Sequence, residues 1–130
     1  MKPIAIEIPI PPATKKNSQR IVMRGRRPII LQSEKYVKYE KDAGKFLKHY
    51  VGMNIAEPVN IKCIYYMPTR RRVDLTNLLE ATDDMLVKYE VLADDNRNIV
   101  ATHDGSMVLY DKEHPRTEIL IEPKKNYMQW

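Results

Sequence analysis

The sequence predicts an α+β fold, a small mixed β-sheet with two helices packed on it. Two observations lead there. Apolar residues recur with a period of two in several stretches and with a period of three to four in two others, and these alternate along the chain as strand, helix, strand, helix, strands. The length of 130 residues holds one core and is too short for two ordinary domains. With 43% hydrophobic and 30% charged residues the composition is that of a globular protein and argues against wholesale disorder. A single domain over residues 1–123 is expected, followed by a frayed tail at 124–130.

In "IAIEIPIPP", Ile4, Ile6, Ile8 and Ile10 alternate with Ala5, Glu7 and Pro9, which predicts a half-buried strand that ends at Pro9 or lies at a sheet edge. The polar, basic segment "ATKKNSQRIVMRGRRPIILQS" reads as a loop or loose hairpin around "PIIL" and is a candidate contact arm. Ser33 is a candidate cap for a first helix, along which Tyr36, Tyr39, Ala43, Phe46, Leu47 and Tyr50 recur up to Gly52. The central strand is expected in "PVNIKCIYYMP", where Val59, Ile61, Cys63, Tyr65 and Met67 share one face and Ile64 and Tyr66 imply partial cover on the other.

From Leu75 the period changes. Leu75, Leu78, Leu79, Thr82, Met85, Leu86 and Tyr89 fall on one side of a second helix, with Thr76, Asn77, Glu80, Asp83 and Asp84 on the other. "NIVATHDGSMVLY" and "RTEILIE" supply further strands, with Asp104 and Gly105 marking a turn or bulge and "DKEHP" a turn. These patterns do not order the strands within the sheet.

The lone Cys63 excludes an intramolecular disulfide and a multi-thiolate zinc site, and its alternating apolar setting suggests simple burial in a reducing compartment. The N-terminal apolar segment is broken by Glu7, Pro9, Pro11 and Pro12 and no long apolar run follows, so neither a signal peptide nor a membrane span is expected and a cytoplasmic location is. The net charge of +5 favours polyanionic partners, and its distribution says more. Lys15, Lys16, Arg20, Arg24, Arg26 and Arg27 form one basic group and Arg70, Arg71 and Arg72 another. His49, His103 and His114 show no metal-ligand spacing and are assigned no role. The tyrosines of the first helix follow the apolar spacing, so they read as core and interface residues in preference to a base-stacking platform.

Acids carry the remaining signal. Asp74 stands where the arginine loop enters the second helix and could be simply an N-cap. Glu80, Asp83 and Asp84 could be a solvated helix face, and Asp94 and Asp95 before Asn96 a turn. Geometry allows more. A helix from Leu75 to about Lys88 spans roughly 20 Å at ~1.5 Å per residue, and an extended 89–95 can return about as far at ~3.3 Å each. Asp94 and Asp95 can thus reach back towards Asp74. Carboxylates brought together repel unless they share protons or hold a hard cation, and Mg²⁺ is typically held by a few carboxylates with waters and substrate phosphates. Arginines beside such a site would hold a phosphodiester, the combination used in metal-assisted phosphoryl transfer.

An N-terminal strand running into "IPPATKKNS", then "MPTRRRVDLTNLLEATDDML", then "VLADDNRNIV" resembles the RusA-type Holliday junction resolvases over most of the chain. The resemblance implies a RusA-like resolvase fold, a homodimer, Mg²⁺ as cofactor with no organic cofactor, and cleavage of four-way DNA junctions by paired symmetric incisions in recombination and repair. It also implies that Asp74 and Asp95 bind metal, with Asp94 adjacent, and that Lys15, Lys16 and Asn17 lie close to DNA. Arg70, Arg71 and Arg72 are expected to hold backbone phosphates. The sequence departs from the family motif at Thr76, where the motif has a second acid, and at Glu80, where some members have an important lysine. Residues 76 and 80 are i and i+4 neighbours, so Glu80 is a candidate ligand that replaces the missing carboxylate, with Asp84 on the same face as the next candidate. Two other readings stand beside this one: a catalytically silent branched-DNA-binding protein of the same fold, and a regulatory or RNA-binding module that uses only the basic face.

Overall fold

The computed structural model describes residues 1–15, 20–31 and 34–124. The expected cap Ser33, the expected DNA-proximal Lys16 and Asn17, and the tail from residue 125 lie outside the described residues. The fold is the expected one: a mixed sheet with two helices. Its centre is β4 (Val59–Met67), the predicted central strand. One edge of β4 pairs antiparallel with β7 (Arg116–Pro123), and β7 pairs antiparallel with β1 (Ile4–Ile8), which ends before Pro9 at the sheet edge as the proline requires. The other edge of β4 pairs in parallel with two short strands in succession, β5 (Val100–Thr102) and β6 (Met107–Tyr110).

The gap between β5 and β6 falls at the predicted turn, where Gly105 has a φ of +86°. Side chains complete the interrupted ladder. Asn60 Oδ1 accepts from the Asp104 amide at 2.7 Å and from the Thr102 hydroxyl at 2.5 Å, and Ser106 Oγ accepts from the Cys63 amide at 3.0 Å. Satisfying these buried groups matters because an unpaired buried polar atom costs roughly 1–3 kcal/mol. Cys63 is fully buried, and burial pushes its thiol up to about 12, which leaves it a packing residue.

α2 (Leu75–Lys88) crosses the sheet between β4 and β5. It buries Leu78, Ala81, Thr82, Met85 and Leu86, the face expected from the periodicity. Thr82 fits this apolar face because its hydroxyl donates to the Leu78 carbonyl at 2.9 Å and meets the Tyr65 hydroxyl at 2.6 Å. Asp83, expected on the solvated side, is instead half-buried, with Oδ2 2.8 Å from His103 Nε2, while His103 Nδ1 lies 2.8 Å from the Ile61 carbonyl. Both partners of the imidazole are acceptors, which favours the doubly protonated ring. Burial opposes that charge, but the hydrogen bond and charge of Asp83 outweigh it, helped by the Ile61 carbonyl, and the pKa of His103 is raised.

The first helix is shorter than its apolar spacing suggests. α1 (Glu34–Gly44) buries Tyr36, Tyr39 and Ala43, then tightens into a 3₁₀ helix over Lys45–Tyr50. The reason lies in the ring of Tyr89. Its hydroxyl donates at 3.0 Å to the Glu40 carbonyl, which is the α-helical acceptor for the Gly44 amide. The ring packs so closely on Gly44 that a Cβ there would lie 2.4 Å from Tyr89 Cζ. The loop or loose hairpin of the basic segment is a regular antiparallel hairpin, β2 (Arg20–Arg24) and β3 (Arg27–Leu31), which forms its own two-stranded sheet.

Two outcomes follow. Gly44→Ala should lower the unfolding free energy by about 1–3 kcal/mol through overpacking, read from urea unfolding; unchanged stability would mean that the Tyr89 ring is free to move. The His103–Asp83 contribution is full below the ordinary histidine value of 6.5 and lost as pH rises through the raised folded value. The stability gap between the wild type and Asp83→Asn should therefore narrow as pH rises from the ordinary histidine value of 6.5 through the raised folded value. A gap that stays constant would mean that the pair is not ionic.

Candidate active site

The acids singled out by the sequence are distributed along α2 and the segment after it. Asp74 occupies the N-cap position, with an extended φ of −86° and ψ of 124°, but its carboxylate accepts no backbone cap bond. Its carbonyl receives the Asn77 and Leu78 amides, and its Oδ2 meets only Asn77 Nδ2 at 3.3 Å among the described residues. Capping therefore does not account for this exposed carboxylate. Glu80 lies exposed between Asp74 and Asp84 on the helix.

The chain after α2 does not run extended back along the helix. The amides of Val91 and Leu92 both fold onto the Leu86 carbonyl, Glu90 takes a φ of +60°, and Leu92 bridges Ile55 ahead of β4. Residues 94–98 are thereby held beside the last turns of α2. Asp94 spends both oxygens on the local turn: Oδ1 accepts the Asp95 amide at 2.8 Å and Oδ2 accepts Asn96 Nδ2 at 3.1 Å. These bonds, the amide of Asp95 first, hold its pKa down. Asp95 turns to Asp84. Partial desolvation and then the Asp84 charge, with hydrogen bonds to Asp94 and Asp84, raise the pKa of Asp95, as expected for two carboxylates that share a small space. Asp84 stands ten residues beyond Asp74, a helical rise of about 15 Å, so the acid that meets Asp95 is the one the sequence ranked behind Glu80.

A cation already stands at this pair. Lys15 Nζ lies 2.7 Å from Asp84 Oδ2 and 5.7 Å from the centre of the Tyr36 ring, with only 24% of the lysine side chain exposed. Lys15, expected near DNA, thus reaches the acids directly.

The arginines sit at the opposite end of α2. All three are exposed, and Arg70 lies over the Tyr110 ring at 4.3 Å. Arg71 and Arg72 line a cleft between the β4–α2 loop and the proline segment, together with Pro11, Thr14 and Lys35, and among the described residues no acid lines it. Lys35 escaped the sequence reading because nothing in its local pattern distinguishes it from a solvated helix position. His103 was missed for the same reason: its partner is distant in sequence and carries no spacing signal.

Among the described residues no three His, Cys, Asp or Glu side chains form a ready metal cluster. Magnesium does not require one, since one or two carboxylates usually hold it with waters and substrate phosphates. Asp84 and Asp95 are hard oxygen donors already drawn together, and they fit that ion. Among the described residues no helix is long and apolar enough to cross a membrane.

No curated protein matches the chain significantly. The family model described as Endodeoxyribonuclease RusA matches residues 9–122, a span that contains the acids, the arginine cleft and Lys15 alike. With nearly all of its sheet, both helices and its candidate site inside that match, the chain belongs to the RusA endodeoxyribonuclease family.

Proposed function

We propose that the protein is a Mg²⁺-dependent, structure-selective endodeoxyribonuclease that resolves four-way DNA junctions. The observation that carries this reading is the joint presence of Asp95 facing Asp84 towards one end of α2 and, at the other end, a cleft whose charged lining among the described residues is cationic. Asp84 and Asp95 would hold the ion. The family resemblance adds Asp74, with its carboxylate unused in capping, and Asp94 as candidate ligands, and the i, i+4 spacing to Thr76 adds Glu80. A bound divalent ion would supply Lewis acidity, lowering the pKa of an attacking water and steadying the leaving oxygen.

The protein's own groups do the rest. Arg71, Arg72 and Lys35 neutralise and orient backbone phosphates, which fixes the strand but reads no base. Arg70, braced on Tyr110, extends that surface. Asp94 fixes the turn that aims Asp95. Lys15 holds Asp84 in place, and it is close enough to meet a phosphate brought to the pair. Two symmetric incisions call for two sites related by a two-fold axis, which a homodimer supplies.

One observation favours a catalytically silent junction binder of the same fold: Lys15 already neutralises Asp84, while Thr76 removes an acid from the family motif. A labelled four-way junction with Mg²⁺ separates the readings. Asp84→Asn and Asp95→Asn should each lower cleavage by at least about a hundredfold while junction binding persists. Asp74→Asn and Glu80→Ala test the other acids, and a variant that cuts normally removes its residue from the ligand set. Binding with no cutting at any Mg²⁺ or Mn²⁺ concentration would overturn the nuclease in favour of the binder. Replacing Arg71 and Arg72 by Gln should reduce the salt slope of log K by roughly 2; an unchanged slope would remove the cleft from the DNA interface.

A further inference from the structure

The β2–β3 hairpin is, among the described residues, the strand pair with no side chain in the core or packed against its edge. A lone two-stranded hairpin is marginally stable in water, yet this one leaves an apolar face open. Ile21 stands opposite Ile30 and Met23 opposite Pro28, so these four side chains share one face. Ile21, Met23 and Ile30 are 70%, 62% and 64% exposed.

The charge of the hairpin is equally uncompensated. Arg24 lies directly opposite Arg27, a like-charge pair that weakens a hairpin, and Arg26 sits at the turn between them. Residues 20–31 contain four arginines and no acid. None of Arg24, Arg26 and Arg27 has an ion pair among the described residues. An arm with both an open apolar face and clustered cations fits a partner that offers anions and flat apolar surfaces together. Arg24 and Arg27, one register step beyond Met23 and Pro28, project from the opposite face of the hairpin, with Arg26 at the turn. DNA supplies phosphates for the arginines, and at a branch point, where stacking is interrupted, it also presents base faces that an intact duplex hides.

We propose that this hairpin is a branch-sensing arm: Arg24, Arg26 and Arg27 hold phosphates while Ile21, Met23 and Ile30 cover bases unstacked at the junction centre. The proposal rests on the reading of the protein as one that acts on branched DNA, and it adds the surface that distinguishes a branch from a duplex.

The test uses the full chain in EDTA, a four-way junction with 2-aminopurine at its centre, and a duplex of the same sequence. The triple variant Ile21→Ser, Met23→Ser, Ile30→Ser should lower the preference for junction over duplex by about tenfold and abolish the 2-aminopurine response to binding. Its urea midpoint should match the wild type, since these side chains touch no core. Arg24→Gln, Arg26→Gln, Arg27→Gln should weaken junction and duplex alike and reduce the salt slope by roughly 2–3. If the wild type binds neither DNA, the branched-DNA reading itself fails. If it binds the junction and the serine variant keeps both preference and fluorescence response, the arm proposal alone is overturned. A serine variant that changes the oligomeric state in light scattering, with junction preference intact, would also overturn it, because the face would then belong to a contact between copies of the chain.

Discussion

The constraint on which the rest depends is the return of the chain to β4 after α2. β4 is paired on both edges, and its right-hand neighbours in sequence must lie parallel to it, so the chain needs a helical crossover and then a re-entry at the starting end of β4. Two contacts make that re-entry: the Ile55–Leu92 bridge and the bond from the Val59 amide to the Ile99 carbonyl. Between them the chain has only a short loop, residues 93–98, which cannot stray far from the last turns of α2. The meeting of Asp95 with Asp84 follows from sheet closure, and Asp94, tied into the turn, limits the directions that Asp95 can take.

The same crossover separates the charges. The basic loop lies where β4 gives way to α2, and the carboxylate pair near the other end of the helix, with Lys15 brought in from the N-terminal segment to neutralise Asp84. The arginine loop and the carboxylate pair, joined by one rigid helix, keep a fixed separation. The half-buried His103–Asp83 pair holds this helix to the broken edge of the sheet, so the acidic turn of α2 is fastened from the sheet side as well. It works beside the side-chain ladder of Asn60 and Ser106, which keeps β5 and β6 in place where the backbone alone would leave a gap.

Much of the fold was legible. Strand and helix periods in β1, β4, β7 and α2 come from residues whose burial is dictated by alternation or by three- and four-residue spacing, and Pro9 marked the edge strand correctly. The first helix was overread because its apolar spacing continues through Phe46 and Tyr50, whereas its geometry is set by Tyr89, a residue from another element that packs on Gly44. The basic segment concealed a regular hairpin for the opposite reason: Ile21, Met23, Ile30 and Leu31 face solvent, so no buried face distinguishes it from a loop.

The sequence by itself determined the α+β class, the length and inward face of α2, the inert burial of Cys63, and the presence of acids and arginines in the motifs of a resolvase family, because these depend on local spacing and residue chemistry. Only the tertiary structure decided which acids meet, that Asp74 leaves its carboxylate out of capping, that Lys15 sits on Asp84, and that His103 meets Asp83. The physical reason is common to all four. Each depends on where a side chain stands after the sheet has closed, and contacts between residues far apart in the chain leave no periodic trace in the order of its amino acids.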